Sequence, residues 1–185
     1  MNVLFVYSNI NGFHYDNYHF GLASLVSVTR QAKHNVKVVI ITKTSEYNSL
    51  LNEVKLFKPD LVGFSSVSSQ YHFVKDMATL IKEEFSLIIT VCGGVHPTIC
   101  TDALLETKMI DGFFVGESEL SFLELLAKID EGKEYKDTDN FAYVQNGKVI
   151  RNKLKMLIED LDLLPHPDKE IYPYKKTIMD LGYAP

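Results

Sequence analysis

The chain has 185 residues, 46% apolar and 23% charged, with 24 acidic against 19 basic side chains and a formal net charge of -5. That balance describes one soluble globular domain with room for a tail; without a Lys/Arg block it also argues against duplex nucleic acid or an anionic membrane surface as the main partner. No apolar run approaches the roughly 18 residues of a membrane span, no secretion signal is legible at the N-terminus, and Cys92 and Cys100 are expected to be reduced thiols in a cytoplasmic protein.

Five short β-branched runs, at 3–7, 36–42, 61–65, 87–92 and 112–115, alternate with segments of helical period, the mark of a parallel sheet built from βαβ crossovers. The fold expected is α/β, a Rossmann-like (flavodoxin-like) five-stranded parallel sheet with helices on both faces. The middle three runs are apolar at nearly every position, so their strands are expected to be central. Helices are predicted over 18–33, around Leu50, Leu51, Val54 and Phe57 up to Pro59, around Phe73, Val74, Met77, Ala78 and Ile81, over 99–106, and over 118–130 with Leu120, Leu123 and Ala127 inward. After Gly132 the pattern changes: 141–144 and 148–150 flank Gln145-Asn146-Gly147, a strong hairpin signal. Residues 158–168 then read as a helical turn stopped by Pro165 and Pro167, followed by a Tyr/Lys-rich connector. The expected division is a domain over 1–135, with hairpin and connector over 136–185.

Ligands of open parallel sheets bind beyond the carboxyl ends of the strands. Four loops there are rich in small, hydroxyl and amide residues: Ser8-Asn9-Ile10-Asn11-Gly12-Phe13-His14, 65–70, 93–98 and 116–119. Such loops admit a bulky ligand close to the backbone and offer hydrogen bonds; equally, Ser69, Thr98 and Ser118 can serve as helix N-caps. A dinucleotide fingerprint and a P-loop are both missing, and Ser65 and Ser66 stand where a phosphoacceptor domain needs a carboxylate. Flavin mononucleotide stays open. Cys92, His96 and Cys100 have C-x3-H-x3-C spacing, but Pro97 and a following helix should carry Cys100 away, so neither a metal site nor a catalytic constellation is expected.

Pro59-Asp60-Leu61-Val62-Gly63-Phe64-Ser65, then Gly93-Gly94-Val95-His96-Pro97-Thr98, then Asp111 to Glu117 and later Leu161 to Asp168, resemble in order the N-terminal cobalamin-binding domain of cobalamin-dependent radical S-adenosylmethionine enzymes. The resemblance implies that cobalamin lies on the strand ends with its nucleotide tail beside the sheet. Carried over by position, Ser65, Ser66 and Ser68 meet the tail or corrin side chains, Gly93 and Gly94 let the chain pass close to the tail, His96, Pro97 and Thr98 border it, and Gly116 and Glu117 close the far side. Ser8, Asn9 and Gln70 complete the candidate cofactor-binding set on the same rim.

The D-x-H-x-x-G that supplies a cobalt-ligating histidine in other cobalamin domains is absent, so no lower imidazole ligand is expected. Absent too is the C-x3-C-x2-C of a [4Fe-4S] cluster, which together with S-adenosylmethionine belongs, on this resemblance, to a C-terminal radical domain outside the chain. The rival expectations are a cofactor-free interaction module and a flavin-binding domain of the same fold.

Overall fold

The computed structural model describes residues 1–10, 12 and 19–171. Asn11, His14 and the rest of 13–18, and the connector side chains Tyr172, Tyr174 and Ile178, lie outside the described residues. The order of elements is β1 (Asn2–Ser8), α1 (Phe20–Gln31), β2 (Asn35–Ile41), α2 (Tyr47–Phe57), β3 (Leu61–Ser65), α3 (Tyr71–Glu84), β4 (Ile89–Gly93), α4 (Val95–Ile99), β5 (Gly112–Phe114), α5 (Glu119–Asp130), β6 (Phe141–Gln145) and β7 (Lys148–Arg151).

One sheet of order β2-β1-β3-β4-β5-β6-β7 results, with the first five strands parallel and the last two antiparallel. It has seven strands where five were expected, because the hairpin is not an appendage: β6 pairs with β5 through Phe113 to Ala142 and Phe114 to Phe141. Its turn places Asn146 and Gly147 at φ 52° and 73°, the two left-handed positions that an Asn-Gly hairpin turn requires. A second correction concerns β2, which is an edge strand and only half-buried. Its largely apolar run reflects helices over its faces, and face coverage says nothing about lateral neighbours.

Side chains alternate across the strands and sort the core into two halves. Leu4, Val6, Val62, Phe64, Cys92 and Phe113 pack with Leu50 and Val54 of α2 and Val74, Met77 and Ile81 of α3. Val3, Phe5, Leu61, Val91 and Phe114 point the other way, onto Leu22 and Val26 of α1 and Phe122, Leu125 and Leu126 of α5. In α5 the buried stripe is therefore Ser121, Phe122, Leu125 and Leu126, while Leu120 and Ala127 are exposed and Leu123 half-buried. Both stripes have helical spacing, and the one carrying the Phe122 ring buries more area.

Other boundaries shift for local reasons. Helix α2 ends at Lys58, left-handed at φ 51°, because Pro59 disfavours helical backbone before it. β4 begins at Ile89, leaving Leu87 exposed in the preceding turn. In place of one helix over 99–106 there are α4 and a separate 3-10 turn, Thr101–Glu106. Pro97 fits the first turn of α4, where its missing N–H needs no partner.

Beyond β7 the chain returns to α1, where the Ser27 hydroxyl donates to the His166 carbonyl at 2.7 Å, the Asp168 N–H donates to the Ala23 carbonyl at 3.1 Å, and Arg30 pairs with Asp168. Among the described residues no helix is long and apolar enough to cross a membrane.

Candidate functional site

At the carboxyl ends of β3 and β4, the positions facing α1 and α5 are Gly63, Ser65 and Gly93. Large side chains fill this face lower down, at Val3, Phe5, Leu61 and Val91; near the rim they are replaced by small ones, and a cavity of about 510 Å³ opens. Phe5, Phe114 and Phe122 form its base, Leu22 and Leu25 of α1 one wall, and Gly116 to Glu119 the other, with Val95, Ile99 and Leu157 exposed at its mouth. Among the described residues no Lys or Arg lines it; its polar side chains are the hydroxyls of Ser65, Thr98 and Ser118, the His19 ring, and Glu117 and Glu119 at one side.

The glycines differ in what they do. A Cβ on Gly93 would have nothing nearer than 3.8 Å, so the position is open space facing the cavity. Gly94 has φ +99°, and a Cβ there would stand 2.8 Å from the Ser66 carbonyl oxygen, so it is needed for the close passage of two loops. By contrast Gly112, on the same face of β5, is covered by the Phe141 ring, 2.0 Å from where its Cβ would be.

Hydrogen bonds fix the rim. Thr98 is inside α4 rather than at its cap; its hydroxyl donates to the Gly94 carbonyl at 2.9 Å and accepts the Gly116 N–H at 3.0 Å, joining the β4 and β5 loops. The Glu117 carboxylate accepts the Ile158 N–H at 3.1 Å, which brings Leu157 over the mouth. Ser118 occupies the N-cap position of α5, but its hydroxyl donates to the Gly116 carbonyl; Ser69 lies inside a 3-10 turn, Ser68–Gln70.

Six of the candidate residues, Ser65, Gly93, Gly94, Thr98, Gly116 and Glu117, meet at the cavity. The other seven do not line it. The Ser8 hydroxyl donates to the Gln70 side-chain oxygen at 2.8 Å, and Gln70 also holds both backbone groups of Ile10, so this pair stitches the β1 loop to the β3 loop. Asn9 is buried with its side chain over Gly12, and its N–H bonds the Ile41 carbonyl. Ser66 bonds the Val67 carbonyl.

Ser68 meets Nδ1 of His96 at 3.0 Å, and the His96 ring stacks on Tyr71 at 4.2 Å, on the α3 side of the sheet. Burial lowers the pKa of His96, and its Nε2 is enclosed without a partner. Pro97 is buried beside it.

The Cys92 thiol is fully buried on that same side, where burial pushes its pKa up and disfavours the thiolate, whereas Cys100 is exposed. Among the described residues no group of three metal-ligating side chains occurs.

One polar cavity residue goes unnoticed in the sequence pattern. His19 is the N-cap of α1: its Nδ1 accepts the Leu22 N–H at 3.1 Å, its Nε2 meets the Ser65 hydroxyl at 3.2 Å, and its ring edge packs on Tyr7. Burial lowers its pKa. No spacing rule links residues 19 and 65. Gly63, in contrast, had a signal: an isolated glycine inside an apolar strand marks a close approach of backbone or ligand.

A doubly wound α/β domain with a slot at its strand ends, based on phenylalanine rings and lined by glycine, apolar and hydroxyl groups, defines a binder of a sizeable organic molecule. Residues 9–126 match the B12 binding domain, and the chain belongs to that family. It is 30% identical over 162 residues to an uncharacterized methyltransferase of Pyrococcus horikoshii, covering 86% of this chain and 35% of that protein. To the anaerobic magnesium-protoporphyrin IX monomethyl ester cyclase of Rubrivivax gelatinosus it is 29% identical over 143 residues, 75% of this chain and 26% of the cyclase.

Among solved structures, the cobalamin-dependent S-adenosylmethionine radical enzyme OxsB with aqua-cobalamin and S-adenosylmethionine bound superposes with a TM-score of 0.80 at 16% identity, over 96% of this chain and 25% of the enzyme. The radical S-adenosylmethionine methyltransferase TsrM from Kitasatospora setae, with cobalamin and a [4Fe-4S] cluster bound, gives 0.69 at 19% identity, over 89% of this chain and 31% of TsrM. These two likenesses establish the fold. The chain spans about a third or less of the length of these proteins.

Proposed function

We propose that this chain is the cobalamin-holding module of a larger cytoplasmic radical S-adenosylmethionine enzyme of methyltransferase type, with the [4Fe-4S] cluster and S-adenosylmethionine held by a further domain. In this reading residues 1–135 hold the cofactor, while 136–185 supply the hairpin and the connector to that domain. Bound cobalamin supplies a cobalt centre that carries a methyl group or exchanges electrons. The observation that carries the reading is the slot itself: Gly93 leaves out a side chain that would enter it, Gly63 makes room for the Phe5 ring at its base, and its volume and chemistry suit an uncharged aromatic tail whose phosphate stays at the solvent edge.

The chain's own groups then have distinct tasks. Phe5, Phe114 and Phe122 exclude water from the base of the slot, Ser65 offers a hydroxyl, and the exposed Val95 and Ile99 form an apolar shelf for the macrocycle. Both ring nitrogens of His19 have partners inside the protein, and His96 is held by Ser68 and Tyr71 on the α3 side of the sheet, so neither ring is offered to a ligand in the slot. Hydroxocobalamin titrated into the protein should shift its visible spectrum on binding, and Gly93→Leu, which fills open space without backbone strain, should weaken binding at least about 100-fold, since it occupies the volume the tail needs. Equal affinity of the Gly93→Leu protein would remove the cavity from the site.

A further inference from the structure

We infer that His19 is a positioning residue that turns the Ser65 hydroxyl hydrogen toward the cavity, so that the slot favours a tail presenting a hydrogen-bond acceptor there. The inference rests on the cobalamin reading above and adds to it the group that sets the polarity of the slot.

The argument follows from counting protons on one imidazole ring. Nδ1 of His19 accepts the Leu22 N–H at 3.1 Å, and an atom accepting from a backbone amide carries no hydrogen of its own. The neutral ring therefore bears its hydrogen on Nε2, the atom 3.2 Å from Ser65 Oγ, and donates to that oxygen. Lowering of the pKa by burial agrees with a neutral ring.

With one lone pair of Ser65 Oγ taken by His19, the hydroxyl hydrogen is left to point elsewhere, and among the described residues no acceptor takes it. Ser65 lines the cavity, and its Oγ lies 3.3 Å from where a Cβ on Gly94 would be, so the glycine also keeps the hydroxyl uncovered. The oxygen keeps a second lone pair, but its hydrogen is turned away from the ring, and a ligand acceptor is the partner that satisfies it. The matching ligand atom is an acceptor such as the imine nitrogen of a heteroaromatic base, which the nucleotide tail of cobalamin carries and cobinamide, the same corrin without the nucleotide, does not.

His19 is also a helix cap, and the two roles separate by substitution. Asn at this position keeps a side-chain acceptor for the Leu22 N–H and is too short to reach Ser65. Affinities for hydroxocobalamin and for cobinamide are to be measured by visible titration on the 185-residue chain and on His19→Asn, Ser65→Ala and the double variant. The expected result is a loss of about five- to tenfold for hydroxocobalamin in each single variant, the size of one hydrogen bond, with no further loss in the double variant and unchanged cobinamide affinity throughout.

His19→Ser, a second capping residue, repeats the test if His19→Asn does not fold. Hydroxocobalamin affinity unchanged in the capping variant, additive losses in the double variant, or a parallel fall in cobinamide affinity would each overturn the assignment. Failure of the unsubstituted protein to bind hydroxocobalamin would overturn the underlying reading together with it, and is distinguishable because it needs no variant.

Discussion

The two faces of the sheet receive the same alternation of side chains and end in different states. Toward α2 and α3 the strand ends carry Phe64, Cys92 and Phe113, and the core runs filled to the rim. Toward α1 and α5 the corresponding strand ends carry Gly63, Ser65 and Gly93, and a cavity remains. One register decides both, because neighbouring residues of a strand point in opposite directions. A binding slot is thus made by subtracting side chains from one side of a sheet while the other side keeps the fold stable.

That contrast can be broken most forcefully on the filled side. Phe113 is completely buried, with its ring edge-on to Tyr71 at 5.8 Å, and Phe113→Ala should cost about 3–5 kcal/mol in urea unfolding. A loss under about 1 kcal/mol would mean that this side also has slack. A smaller effect is expected from Gly112→Ala on the cavity side, at the glycine that is already covered: the buried Phe141 ring must move, at about 1–3 kcal/mol. Gly93→Leu, two residues from a strand pairing with that glycine, should change stability by no more than about 1 kcal/mol, since the new side chain enters empty space. Comparable losses for Gly112→Ala and Gly93→Leu would contradict the distinction between a covered and an open glycine.

The smallest effect is that of pH, and it acts on both faces. Burial holds His19, at the cavity, and His96, on the filled side, below the ordinary value of 6.5. The unfolded chain therefore binds protons that the folded chain refuses, so stability is complete above about pH 6.5 and declines as pH falls from there through the folded-state values. Urea midpoints at pH 7 and pH 5 should show that decline; a midpoint that rises on acidification would contradict the neutral state of these two rings.

Much of this arrangement was legible in the residues. The five parallel strands, the Asn-Gly turn and the glycine- and serine-rich loops all follow from local pattern, and six of the thirteen candidate residues do meet at the cavity. What stayed hidden depends on spatial neighbours. The edge position of β2 cannot be read from an apolar run, and the hairpin's place in the sheet depends on pairing with β5. Ser8 and Gln70 look like ligand groups because they are polar and on the rim, yet they satisfy one another. His19 falls within the first predicted helix, and nothing in the sequence ties it to Ser65, forty-six positions away.

The return of the chain to α1 has a consequence in time. Helix α1, the wall that carries His19, is synthesised well before its clasp, since Ser27 is 139 residues ahead of His166, and Ala23 and Arg30 are partnered by Asp168. During vectorial synthesis the parallel core can begin to assemble long before that, whereas the clasp on this wall closes only when residue 168 has left the ribosome. Contacts of such sequence separation form late because the intervening loop must be closed first. The receptacle is therefore finished after the sheet that supports it, and a ribosome-bound chain stopped short of His166 should have the sheet without a fully secured slot.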